Sequence, residues 1–124
     1  MAKKILLIED DLQVLELLKV WLAAHDYSVE MASNGEEGLR KLKDTVPDLI
    51  ILDVFMPRMD GYSFLMKMKE ENPLIKVPII VLTGKDKMRD LFEMEGVVAY
   101  VVKPFSPEEL LGKIKQAFET GAAG

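Results

Sequence analysis

The sequence predicts an α/β fold, a five-stranded parallel sheet with helices on both faces. Short, wholly apolar runs lead to this: Ile5-Leu6-Leu7-Ile8, Leu49-Ile50-Ile51-Leu52 and Pro78-Ile79-Ile80-Val81-Leu82. They are too short for helices and rich in β-branched residues, so they read as strands buried on both faces. The segments between them carry apolar residues at helical spacing. Strand and helix alternate five times with no linker and no low-complexity stretch. Right-handed crossovers then place helices on both sides of a parallel sheet.

Taken in order, Ile5–Ile8 is the first strand and ends in Glu9-Asp10-Asp11. Leu12, Leu15, Leu18 and Leu22 recur at helical spacing with Glu16 and Lys19 outside, giving a helix to about His25. Tyr27 to Ala32 alternates like a strand. Ser33-Asn34-Gly35-Glu36-Glu37 places Ser or Asn three residues ahead of Glu, a capping signal for a helix through Leu39 and Leu42. Val46-Pro47-Asp48 breaks that helix before the central strand, which stops on Asp53. Met56-Pro57 and Asp60-Gly61 supply turn chemistry, and Asp60 caps a helix from Tyr62 to Glu71. Asn72-Pro73 ends it. The strand at 78–82 runs into Thr83-Gly84; Met88, Leu91 and Phe92 mark a short helix closed by Gly96. Val97 to Val102 is the last strand, followed by Lys103-Pro104-Phe105. Ser106-Pro107-Glu108-Glu109 combines an N-cap Ser with Pro at N1 and Glu at N3, opening a helix with Leu110, Leu111, Ile114, Ala117 and Phe118 on one face. Residues 1–120 thus form one domain and 121–124 a flexible C-terminal tail.

Composition narrows the function classes. A chain of 124 residues that is 49% apolar can bury a core, which excludes disorder. A net charge of −5 argues against nucleic acid or an anionic membrane as partner, because phosphates and headgroups would be repelled. Without Cys there is no disulfide, thiolate metal site or Cys nucleophile. The segment after Met1-Ala2-Lys3-Lys4 lacks the apolar core and cleavage site of a signal peptide, so a soluble cytoplasmic domain is expected.

Four of the five strands end in groups with chemical potential: Glu9-Asp10-Asp11, Asp53, Thr83 and Lys103. Singly, each has a plainer reading: a solvated acidic loop, a loop-capping Asp, a turn residue, a surface charge. Together at successive strand ends they gain a different meaning. In a flavodoxin-like strand order, 2-1-3-4-5, the carboxyl ends of the first and third strands meet at the switch point where ligands bind. Carboxylates crowded there repel by roughly 4 kcal/mol per pair at an effective dielectric near 20. Such a cluster takes up a proton or binds a cation. Oxygen ligands without His or Cys suit Mg²⁺, which keeps several waters, with Mn²⁺ the alternative. An ammonium and a hydroxyl beside the carboxylate suit a phosphoryl group in transfer, with Asp53 as nucleophile forming an acyl phosphate.

These same residues make the chain resemble a response-regulator receiver domain of bacterial two-component signalling, similar to the chemotaxis-regulator type. The likeness covers essentially the whole chain through Ile8-Glu9-Asp10-Asp11, Asp53 with Met56-Pro57-Arg58-Met59-Asp60-Gly61, Thr83-Gly84 and Lys103-Pro104-Phe105. The resemblance implies that Asp53 accepts phosphate from a histidine kinase, a phosphotransfer protein or a small phosphodonor. It assigns Asp10 and Asp53 to contact with Mg²⁺, Glu9 to contact through water, and the Phe55 backbone carbonyl to the metal. Asp11 is given instead to capping the first helix. Lys103 would pair with phosphoryl oxygens, held by a cis bond to Pro104. Thr83 and Tyr100 match the switch pair: the hydroxyl moves to the phosphoryl group and the ring turns inward behind it.

Two departures from the family pattern stand out. Thr83 and Lys103 are closer in sequence than usual by about a couple of residues, so the fourth helix within Lys85–Glu95 is expected to be truncated or irregular. Gly96-Val97-Val98-Ala99-Tyr100 is apolar where the family is usually acidic, and Val97 and Val98 are expected to contact a specific partner. Neither Phe55, two positions after Asp53, nor Lys85, two after Thr83, activates water. Slow hydrolysis is therefore expected, with Phe55 shielding the line of attack.

The expected function is a phosphorylation-controlled switch, not an enzyme on a separate substrate. Helix-four, strand-five and helix-five form the face that meets a downstream target protein or an output domain missing from this chain. A pseudo-receiver that works unphosphorylated through protein contacts is the alternative. An Asp-nucleophile hydrolase would want a second carboxylate soon after Asp53, where Val54, Phe55 and Met56 stand. A flavin-phosphate site would be repelled by Glu9-Asp10-Asp11. The chain reads either as a stand-alone receiver or as a piece of a larger regulator.

Overall fold

The computed structural model describes residues 2–73, 75–84 and 88–120. Its elements alternate throughout: β1 (Lys4–Ile8), α1 (Leu12–Ala24), β2 (Ser28–Ala32), α2 (Gly35–Asp44), β3 (Leu49–Asp53), α3 (Gly61–Glu71), β4 (Ile79–Thr83), α4 (Arg89–Met94), β5 (Ala99–Val102) and α5 (Pro107–Thr120). The strands pair in parallel in the order β2-β1-β3-β4-β5. The expected α/β architecture is the observed one. The tail expected at 121–124, and Lys85, lie outside the described residues.

Strand alternation divides the core into two layers. Leu6, Ile8, Ile50, Leu52 and Val81 face α2, α3 and α4, packing on Leu39, Leu42, Phe64, Leu65 and Phe92. Ile5, Leu7, Leu49, Ile51, Ile80 and Leu82 face α1 and α5, packing on Leu15, Leu18, Leu22, Leu110 and Ile114. With both faces covered, β3 and β4 are buried at every position, which is why their sequences show no polar alternation. Each buried Leu or Ile contributes roughly 1.5–3 kcal/mol of transfer free energy. β2 sits at the sheet edge. It starts at Ser28 rather than Tyr27 and only Ala32 is buried, so the alternation read from its sequence is not a burial pattern.

The caps follow local chemistry. Asp11 accepts from the Gln13 and Val14 amides at 2.9 and 3.3 Å and caps α1, leaving Glu9 and Asp10 for the site. In α2 the choice between Ser33 and Asn34 falls on Asn34, which accepts from Glu37 N at 2.9 Å. The Glu37 carboxylate in turn accepts from Ser33 N at 2.6 Å. Asp60 caps α3 through Ser63 N at 2.8 Å, and Ser106 caps α5 through Glu109 N at 3.1 Å. α4 is truncated as expected, to six residues with no side-chain cap among the described residues. It ends in a Schellman arrangement: Gly96 N donates to Glu93 O and Val97 N to Phe92 O, with Gly96 at φ +86°.

α1 departs from expectation. Leu15, Leu18 and Leu22 are buried, but Leu12 at the first turn is 67% exposed, and Leu17 and Val20 join it at 70% and 66%. The helix is apolar nearly all round, so spacing alone did not identify its inner face. No helix among the described residues is long and apolar enough to cross a membrane.

Candidate functional site

The parallel register sets three side chains at one rim: Glu9, Asp53 and Lys103. β1 and β3 pair from Ile5–Leu49 to Ile8–Leu52, so Glu9 and Asp53 emerge side by side just past that ladder. β4 and β5 pair through Thr83–Val102, which delivers Lys103 to the same edge. The Lys103 amide also donates to Thr83 O at 2.6 Å, and the Lys103–Pro104 peptide is cis.

At this rim Lys103 Nζ lies 2.7 Å from Glu9 Oε1 and 3.3 Å from Asp53 Oδ1. Glu9 Oε2 also accepts from the Asp11 amide at 3.3 Å. Glu9 and Asp53 are buried, whereas Asp10 is exposed. One carboxylate oxygen from each of Glu9, Asp10 and Asp53 falls within 4.8 Å of the others. These residues line an open cleft of about 590 Å³ with Asp11, Phe55, Gly84 and Lys103. When ionised, the three carboxylates carry two negative charges more than Lys103 balances, the charge of one divalent cation. An all-oxygen donor set of this kind fits a hard ion such as Mg²⁺ better than a soft one.

Burial pushes the Asp53 carboxyl from its ordinary 3.8 up to about 7, with the neighbouring Glu9 charge adding to the rise and Lys103 opposing it. For Lys103, burial alone would lower the ammonium, but its hydrogen bond to Glu9 and both carboxylates raise it above its usual value. Lys103 is therefore a fixed cation at neutral pH, and Asp53 is the group whose charge responds to what binds beside it.

The loop after β3 is held by backbone contacts. Gly61 N donates to Val54 O at 2.7 Å. A Cβ on Gly61 would sit 2.5 Å from Asp53 O and 2.9 Å from Val54 Cα. Arg58 is left-handed at φ +70°, closing a tight turn in which Met59 N donates to Pro57 O at 2.7 Å. The sequence marked Asp60-Gly61 as turn chemistry but gave no sign that Gly61 packs on the carboxylate's own backbone. Nor did it show that Lys103 is closer to Glu9 than to Asp53.

Thr83 and Tyr100 lie differently. Both are buried, and alternation from Val81 puts them on the α3–α4 side of the sheet, opposite the face shared by Ile51, Asp53, Val101 and Lys103. The cleft wall at the end of β4 is Gly84. The Tyr100 ring, expected to turn inward only on modification, is already inward at 7% exposure, with Phe92 at a centroid distance of 6.0 Å.

The family model for the response regulator receiver domain matches residues 5–115. The chain belongs to that family. Among curated relatives this receiver domain is 38% identical over 117 residues to the alkaline phosphatase synthesis transcriptional regulatory protein PhoP of Bacillus subtilis (strain 168), covering 93% of this chain and 48% of the relative. The chain spans about half the length of the curated relatives it matches, several of which are described as probable transcriptional regulators. Among solved structures, a CheY-like response regulator receiver domain protein from Methanospirillum hungatei JF-1 superposes with a TM-score of 0.89 at 31% identity, covering 99% of this chain and 98% of that one. The response regulator TrrA from Thermotoga maritima, in complex with Mg²⁺ and BeF, gives 0.82 at 34% identity over 92% and 97%.

Proposed function

We propose that this receiver domain is a phosphorylation-controlled switch in which Asp53 is the phosphoryl acceptor. The observation that carries the reading is a buried carboxylate at a strand end, 3.3 Å from a lysine ammonium and grouped with two further carboxylates. An Asp53 oxygen attacks phosphorus, the new P–O bond forms, and the donor's bond to phosphorus breaks with its electron pair leaving on the donor. A phosphoimidazole of a histidine kinase or phosphotransfer protein, or a small acyl phosphate, fits that role. Asp10 and Asp53, with Glu9 through water and the Phe55 carbonyl, would hold Mg²⁺ or Mn²⁺. When bound, the ion neutralises charge on the phosphoryl oxygens. Lys103 meets those oxygens with its ammonium, and Thr83 supplies a hydroxyl as the switch closes. The chemistry is self-directed, phosphotransfer onto Asp53 and hydrolysis of the acyl phosphate to the free carboxylate and inorganic phosphate, with no separate substrate. The reading expects a cytoplasmic location and no nucleic-acid contact by this domain. Incubation with Mg²⁺ and acetyl phosphate should add one phosphoryl group to the intact mass, and its absence would remove the proposal.

The donor reaches Asp53 across the same rim, and α1 offers it apolar surface there. Val14, Leu17, Trp21, Phe105 and Pro107 line a groove of about 330 Å³ that shares Lys103 with the site cleft. A helical surface carrying the donor histidine fits this groove by its continuity with the site. Leu17→Glu is expected to slow transfer from a phosphorylated protein donor by about tenfold, the effect of losing one apolar anchor. Labelling by acetyl phosphate should be unchanged. Equal slowing of both donors would count against docking.

Phe55 is 49% exposed and lines the cleft, consistent with a ring lying across water's approach. In Phe55→Ala the acyl phosphate should decay severalfold faster than in wild type, followed by loss of the mass adduct. An unchanged or longer lifetime would contradict shielding.

Output is assigned to the α4–β5–α5 face. There Met94 and Val98 are 82% and 44% exposed, and Val97 is half-buried against the core layer that contains Phe92. That exposed apolar turn also supports the pseudo-receiver reading, in which partner binding through it persists in Asp53→Asn.

A further inference from the structure

Three rings run from α3 through α4 to β5. Tyr62 meets Phe92 edge-on at 5.6 Å, and Phe92 meets Tyr100 at 6.0 Å. Beyond them the Arg89 guanidinium lies 5.0 Å from the Tyr100 ring centroid. α4 is six residues long, so its own hydrogen bonds hold it weakly and its docking depends on side-chain packing. Arg89 and Phe92 stand three residues apart on that helix and thus share a face. Two side chains of one short helix therefore fix one ring of the neighbouring strand. Arg89 is half-buried, and partial desolvation strengthens a cation over an aromatic face.

We propose that Arg89 is a positioning residue whose guanidinium, with Phe92, holds the Tyr100 ring buried before any group is added to Asp53. A ring turned outward would give up both contacts, since each depends on Tyr100 lying under α4. In this chain the aromatic half of the switch is thereby set inward in the unmodified protein. Modification of Asp53 then acts on the Thr83 side, and the ring follows only when Arg89 is lost. The second part rests on the acceptor reading of Asp53, while the first does not.

The test places meta-fluorotyrosine at position 100 of the full chain and reads its ¹⁹F signal with a soluble paramagnetic probe. In the ligand-free wild type the ring should be protected. Arg89→Met, which keeps a long apolar stem but no charge, should shift the inward-to-outward ratio by between about twofold and about thirtyfold. Arg89→Lys, which keeps a cation, should stay closer to wild type than Arg89→Met. Adding Mg²⁺ and beryllofluoride should return the ring of Arg89→Met to protection. Protection of Arg89→Met equal to wild type would overturn the proposal, as would equal exposure in the Met and Lys variants. A ring that stays exposed after loading means that α4 has been lost rather than loosened, and also overturns it. Bound beryllofluoride has its own ¹⁹F signal: its absence in wild type would sink the acceptor reading and leave the ligand-free comparison to decide Arg89.

Discussion

Asp53→Asn is expected to lose the phosphoryl adduct entirely and, without metal, to be more stable than wild type above neutral pH. The second effect follows from burial. Folding raises the Asp53 carboxyl from 3.8 to about 7, so between those values the folded protein keeps a proton that the unfolded chain has released. Stability therefore falls as pH rises through that window and levels off above about 7. Asn has no proton to lose and escapes the decline. The stability difference between variant and wild type should be small near pH 4 and grow toward neutrality, reaching at most about 4 kcal/mol. Urea melts at several pH values measure it. Excess Mg²⁺ should narrow the gap by stabilising wild type more than the variant. A difference that does not vary with pH would mean that Asp53 is not destabilised by its surroundings, and an adduct surviving in Asp53→Asn would move the acceptor elsewhere.

What the sequence made legible, and what it did not, divides along physical lines. Buried parallel strands are apolar at every position, so Ile5–Ile8, Leu49–Leu52 and Ile79–Leu82 could be read without knowing their partners. Caps are local, and Asp60 and Ser106 are identified by neighbours within three residues, whereas Asp11 is given to capping only through the family resemblance. Convergence at the rim followed from topology, because strands that all run one way end at one edge. The remainder depended on distances across the fold. No local pattern tells that Lys103 lies nearer to Glu9 than to Asp53, since this depends on how far a side chain reaches between strands separated by 94 residues in one case and 50 in the other. The exposed side of α1 was equally hidden, because a helix with Leu and Val on both faces gives periodicity no contrast. The resemblance offers Tyr100 as half of a switch, but its orientation depends on Arg89 and Phe92, residues on another element.

Gly61→Ala should be the most damaging small substitution outside the ionisable groups, because it couples the fold to the site. Its Cβ would fall 2.5 Å from the backbone oxygen of Asp53 and 2.9 Å from Val54 Cα, and neither can swing aside as a side-chain tip could. The loop or the end of β3 must move, which also strains the 2.7 Å hydrogen bond from Gly61 N to Val54 O. Overpacking and a weakened buried hydrogen bond together should cost about 2–4 kcal/mol. A displacement near 1 Å at a reacting group costs on the order of a hundredfold in rate. Acetyl-phosphate labelling of the folded variant should therefore fall steeply even where its melting curve shows it fully native. Gly112→Ala is the control. That glycine lies in α5 with open space around its Cβ position and no left-handed backbone, so alanine should stabilise by about 0.5–1 kcal/mol and leave labelling unchanged. If Gly61→Ala were as stable and as reactive as Gly112→Ala, the β3–α3 loop would not be what fixes the Asp53 carboxylate. Its position would then have to come from Lys103 and the strand ladder alone.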